Sequence, residues 1–198
     1  PADEALVRRV RAAGSLIASS ATTLEEALEL ERRGVDVIIA QGWEAGGHRG
    51  SFLPTTRMDT QLGTFALVSQ VVRAVRVPVV AAGGISDAQG VRAAMALGAS
   101  GVQVGSAFLL CPECTGVTPA HRAGLSDPAL ASRTVVTNAF TGRPARAILN
   151  AFVDSMGVMA PSAPPFAVPS TLLAPTRAAA ERQSRLDMAQ MWCGQNAF

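Results

Sequence analysis

Two stretches of this chain obey one rule. Thr23, with Glu26 three residues on, makes a capping box that opens an amphipathic helix; the helix runs to Arg33, stops at Gly34 and gives way to Val35-Asp36-Val37-Ile38-Ile39-Ala40. Ser86, with Gln89 in the equivalent place, opens an Ala-rich helix that runs to Leu97, is ended by Gly98 and is followed by Gly101-Val102-Gln103-Val104. Between them a helix over Thr64–Val75, with Phe65, Val68, Val71, Val72 and Val75 at helical spacing, leads into Val77-Pro78-Val79-Val80-Ala81-Ala82. Ahead of them, Leu16-Ile17-Ala18 follows Gly14. This alternation predicts repeated βα units on a parallel sheet, an α/β fold. The run from Val35 to Ala40 is apolar enough for a strand covered on both faces.

Composition narrows the function classes. All seventeen basic residues are Arg, scattered and offset by fifteen acids to a net charge of +2, so no basic patch points to nucleic acid. The longest apolar runs are strand-sized, which excludes a helical membrane span, and Pro1-Ala2-Asp3-Glu4 resembles no signal peptide. Cys111, Cys114 and Cys193 are too few for a disulfide scaffold and agree with a reducing compartment, so a cytoplasmic address is expected. The chain opens with Pro rather than Met, and removal of an upstream segment is the expectation.

After Gly105-Ser106 the pattern weakens. Arg133 to Thr137 is expected as a short strand, Ala145 to Asp154 as a helix, Met159 to Pro169 as a Pro-rich connector, and Thr176 to Met191 as a final helix. About four βα units in 198 residues cannot close an eight-stranded barrel, which takes roughly 250. Either the chain is part of a larger one or it associates, a homo-oligomer being one form, because sheet edges are left open.

Three Gly-bearing segments carry the chemistry. Gln41-Gly42-Trp43-Glu44-Ala45-Gly46-Gly47-His48-Arg49-Gly50 begins where a predicted strand ends, the end at which α/β barrels build their active sites. Gly46 and Gly47 allow close backbone approach to a flat ligand, and His48 is the side chain that titrates near neutrality, a candidate general base. Ala82-Gly83-Gly84-Ile85-Ser86 and Gln103-Val104-Gly105-Ser106-Ala107-Phe108 are strand-to-helix turns whose N–H groups suit a phosphate. Cys111-Pro112-Glu113-Cys114 has zinc-ligand spacing, but nothing completes a site, and no metal is expected. His121 beside Arg122 reads as a helix-surface residue. Thr141-Gly142-Arg143-Pro144-Ala145-Arg146 reads as a loop entering a helix with Pro144 in the first turn; its Arg residues suit an anion or a structural ion pair.

Taken together, these segments resemble the nitronate monooxygenase family, formerly 2-nitropropane dioxygenases, FMN-dependent barrels related to the FMN-dependent enoyl-acyl-carrier-protein reductases. The resemblance runs from about Gly14 to Phe152 and implies a TIM-type (β/α)8 barrel, of which this chain holds the second half plus a C-terminal helical tail. Residues 1–155 are then the barrel half and 156–198 a connector and helix packed on it. By motif position, His48 is the family's active-site base near the reactive face of the flavin. Gln41 and Gly46 match FMN contacts; Gly83, Gly84, Gln103, Val104, Gly105 and Ser106 match the phosphate side, Ser106 standing where the family more often has Thr. The implied activity is oxidation of alkyl nitronates, such as propionate 3-nitronate, by O2 to a carbonyl product and nitrite. Two alternatives remain open at this point: an NAD(P)H-dependent FMN reductase of enoyl thioesters or quinones, and a non-catalytic half-barrel.

Overall fold

The structure, a computed structural model, describes residues 4–197. Pro1, Ala2 and Asp3, on which the signal-peptide reading rests, lie outside them, as does Phe198. In chain order the elements are α1 (Glu4–Ala12), β1 (Ala18–Ala21), α2 (Leu24–Arg32), β2 (Val37–Gln41), β3 (Gly47–His48), α3 (Thr64–Ala74), β4 (Val79–Ala82), α4 (Ala88–Ala96) and β5 (Gly101–Gln103). There follow α5 (Pro119–Ser126), α6 (Pro128–Ala131), β6 (Thr134–Thr137), β7 (Ala145–Ile148), α7 (Ala151–Met156), α8 (Val168–Leu172) and α9 (Ala174–Arg182). Contacts divide the chain into two compact units: residues 1–44 with 50–104, and residues 45–49 with 105–198.

The first unit is the βα repeat read from the sequence. Its four strands lie parallel in the order β1-β2-β4-β5. Thr23 caps α2 by accepting from the Glu26 N–H at 3.2 Å, and Gly34, at φ +77°, turns the chain out of that helix. The α4 cap is Asp87, which accepts from Gly90 N–H at 2.7 Å, and not Ser86 as expected. A carboxylate at the residue next to the helix outcompetes a hydroxyl one place earlier. Leu30, Leu67, Val68, Val71 and Ala94 of the helices pack on Ile38, Ala40, Val79 and Ala81 of the sheet. Ile38 and Ala40 are fully buried while Val37, Ile39 and Gln41 on the opposite face are only partly covered, so β2 is sealed on one face rather than both.

The second unit holds a three-stranded antiparallel sheet, order β3-β7-β6. Here β6 matches the strand expected at Arg133–Thr137, but Ala145–Ile148, expected as the start of a helix, is the central strand β7. All four of its residues are buried, and burial between two partner strands overrides the helical preference of Ala. The helix begins only at Ala151, where Asn150 caps it by accepting from Val153 N–H at 3.1 Å. Thr141–Pro144 therefore enters a strand. The expected final helix is shorter: α9 ends at Arg182, and beyond a short 3-10 turn at Leu186–Met188 the chain runs extended, Trp192 bridging Ala147. Ala120, Leu125, Ile148, Met191 and Cys193 form the core of this unit. No helix among the described residues is long and apolar enough to cross a membrane.

Candidate active site

In the first unit, strand register lines up two of the candidate positions, Gln41 and Gln103, through Ala82. Gln41 pairs with Ala82, and Ala82 with Gln103, so one row crosses β2, β4 and β5 at their C-terminal ends. Gly83-Gly84 and Val104 leave the sheet immediately beyond that row. Gly83 (φ +113°) and Gly84 (φ +70°) occupy the left-handed region that favours glycine. Thr64 fastens this turn, its hydroxyl lying 2.9 Å from the Gly83 carbonyl and 2.9 Å from a Glu44 carboxylate oxygen, while Glu44 also accepts from the Thr64 N–H at 2.7 Å. The Gln41 side chain holds the loop after β2: its Oε1 accepts from Gly50 N–H at 2.7 Å.

In the second unit, His48 sits on β3 opposite Ala145 of β7, and the neighbouring Arg49 N–H donates to the Pro144 carbonyl at 2.9 Å. Its Nε2 lies 2.9 Å from the Thr141 hydroxyl. The Trp192 ring is tilted against the imidazole at 5.3 Å between centroids, and Phe166 meets it edge-on at 5.7 Å. Arg143 stands over Phe166, 5.9 Å from guanidinium carbon to ring centroid. Burial lowers the imidazole's affinity for a proton below the ordinary value of 6.5, and the positive charge of Arg143 lowers it further. His48 is therefore neutral at neutral pH.

Around it, Gly46 packs so closely on Cys193-Gly194 that an added Cβ would lie 2.5 Å from Gly194 N. Ser106 Oγ accepts from that Gly194 N–H at 2.8 Å, so its lone pair already serves the C-terminal segment. Gly105 is exposed, with no atom within 4 Å of an added Cβ. The Cys193 thiol is pushed up to about 11, by burial above all. His121 corrects another expectation: it is buried, and its Nε2–H donates to the Trp192 carbonyl at 2.8 Å. Cys111 and Cys114 are partly exposed free thiols in a turn whose carbonyls accept from Arg122, and no metal-binding group of three His, Cys, Asp or Glu occurs among the described residues.

The family model described as nitronate monooxygenase matches residues 1–198. The chain belongs to the nitronate monooxygenase family. It is 40% identical over 192 residues to a probable nitronate monooxygenase of Bacillus subtilis (strain 168), covering 97% of this chain and 54% of that protein. A probable nitronate monooxygenase of Staphylococcus aureus (strain MRSA252) is 39% identical over 194 residues, 98% of this chain and 54% of that protein. Among solved structures, a nitroalkane oxidase from Streptomyces ansochromogenes gives a TM-score of 0.89 at 41% identity, covering 99% of this chain and 56% of that one. FabK from Thermotoga maritima gives 0.71 at 29% identity, over 98% and 58%. The chain thus spans about half the length of the curated relatives it matches.

Sequence reasoning missed several groups that surround His48 in this member of the nitronate monooxygenase family. Trp192 and Phe166 lie more than a hundred residues away along the chain and carry no local signal. Thr141 and Arg143 were within a recognised motif, but reading that motif as a helix entrance hid their relation to His48.

Proposed function

We propose that the protein carrying this chain is an FMN-dependent oxidoreductase that converts alkyl nitronates and O2 to a carbonyl compound and nitrite, with His48 as its acid–base residue. The observation that carries the reading is His48 itself: a half-buried imidazole kept neutral, hydrogen-bonded to Thr141, walled by two aromatic rings and lying beside a guanidinium. That combination suits an anionic or acidic carbon substrate, with Arg143 attracting negative charge and the neutral imidazole accepting a proton. Trp192 and Phe166 would exclude water and pack on the alkyl group. The barrel of which this chain supplies the second half, the 1–155 and 156–198 division and the cytoplasmic address belong to the same proposal.

FMN fits the residues present. In the first unit, consecutive left-handed glycines at 83 and 84 follow directly on the row of strand ends, where a side chain at 84 would press on Glu44, 3.3 Å from an added Cβ. Gln41, Gly83, Gly84, Gln103 and Val104 would hold the cofactor from that unit. Within the second unit, Gly46, Gly105 and Ser106 are the positions that the family resemblance proposes as cofactor contacts, the Ser106 hydroxyl hydrogen remaining a donor while its oxygen accepts from Gly194. When bound, the flavin supplies the two-electron oxidation and the reaction with oxygen. The visible spectrum of the full-length protein, with identification of the group released on denaturation, tests the assignment; an FMN spectrum is expected, and a colourless full-length protein would refute it. In a flavin-loaded enzyme, His48→Asn is expected to keep its flavin and lose roughly a hundredfold or more in turnover. Unchanged kinetics would remove His48 from the reaction.

A further inference from the structure

We propose that Thr141 is a positioning residue that fixes the tautomer of His48, making Nε2 its N–H and Nδ1 the nitrogen that takes up a proton. Three groups surround the Thr141 hydroxyl. The Thr141 hydroxyl donates to the Arg143 carbonyl oxygen, 3.1 Å from Oγ1, which commits its single hydrogen. The Arg143 N–H, at 3.3 Å, donates to Oγ1. The third neighbour is His48 Nε2 at 2.9 Å. With the hydroxyl hydrogen committed to a carbonyl, Oγ1 faces the imidazole as an acceptor, and Nε2 must bear hydrogen. A neutral imidazole has one N–H, so the lone pair is on Nδ1.

The local chain makes this arrangement stiff. Thr141 is buried, its own N–H donates to the Asn138 carbonyl at 3.3 Å, and Gly142, at φ +77°, folds Arg143 back so that both of its peptide groups reach the hydroxyl. An added side chain at Gly142 would collide with the backbone of Pro164 and Phe166. The consequence for proton transfer is direct. When Nδ1 takes a proton, Nε2 keeps its hydrogen and its bond to Thr141, so the imidazole gains charge without any hydroxyl turning. If Nε2 were the base, the Thr141 hydrogen would have to point at it in the resting state and swing away to the Arg143 carbonyl at each protonation.

The tautomer follows from the hydrogen bonds of the Thr141 hydroxyl; its catalytic consequence rests on the reading of His48 as the base. The test is 15N NMR of the full-length protein labelled at histidine, recorded well above the ordinary histidine pKa, with the His48 signals identified by their loss in His48→Asn. The expected spectrum has a protonated-nitrogen signal at Nε2 and a lone-pair signal at Nδ1. Thr141→Val is expected to give a mixture of tautomers and to lower kcat/KM roughly tenfold, as loss of one hydrogen bond does, while Thr141→Ser restores both. A wild-type imidazole protonated at Nδ1, or a tautomer unchanged in Thr141→Val, would overturn the proposal. A protein that lacks flavin or turnover counts against the proposed function, whereas the NMR spectrum still decides this one.

Discussion

His48 shows how much of a residue's chemistry is set by what surrounds it. A solvent-exposed imidazole is half protonated near 6.5; here burial and the adjacent Arg143 disfavour the cation, so the neutral form persists to lower pH. As the proposed base, His48 is competent above its folded pKa and that competence is lost as the pH falls through it. For a neutral nitroalkane substrate, kcat/KM of the full-length enzyme is therefore expected to stay flat from pH 8 down past about 6.5 and to drop only below that. A limb centred above 6.5 would contradict the assignment. The same sign governs stability: His48 and His121 are both lowered, so their contribution is complete above the unfolded value and is lost as the pH falls through the folded ones.

At the scale of elements, the junction of β1 and α2 depends on one buried carboxylate. The sequence spacing predicts that Glu26 reaches back to the Thr23 N–H to close a capping box. It turns instead to other donors: Thr22 N–H at 2.7 Å, Thr22 hydroxyl at 2.8 Å, Phe52 N–H at 2.8 Å, Leu53 N–H at 3.3 Å and Thr56 hydroxyl at 2.8 Å. Burial alone would raise its pKa, but hydrogen bonds from Phe52, Thr22 and Thr56 outweigh it and leave the carboxyl below its ordinary 4.5. The stability this provides is present above 4.5 and lost as the pH falls through the folded value. Glu26→Gln sets an amide N–H₂ against donors and is expected to cost about 2–3 kcal/mol in urea unfolding of the full-length protein. A change under about 0.5 kcal/mol, typical of an indifferent surface site, would show that the loop at Phe52–Thr56 does not depend on it. The contrast between the units explains what could be read beforehand. The βα repeat was legible because caps, glycines and apolar periodicity are local; β7 and the Trp192 segment were not, because Ala145-Arg146-Ala147-Ile148 becomes a strand only through partners brought from residues 47–48, 134–137 and 192. For the same reason only part of the candidate site could be proposed from the sequence: His48 and the turn glycines lie in local motifs, while Thr141, Phe166 and Trp192 acquire meaning only beside His48.

At the scale of the whole molecule, the chain spans 54% of the length of the curated relatives, and the activity is proposed for the protein that carries it. Family membership narrows the chemistry without separating two flavin reactions. Two readings are to be separated by experiment: the proposed oxidation of a nitronate, and the reductase alternative, in which NAD(P)H is the electron source. Anaerobic mixing of the flavin-loaded full-length protein with propionate 3-nitronate, and separately with NADH and NADPH, measures this most directly through the visible flavin absorbance. Rapid bleaching by the nitronate, with neither pyridine nucleotide effective, is the predicted result. Bleaching by NADH or NADPH with the nitronate inert would contradict the account and assign the protein to the reductases.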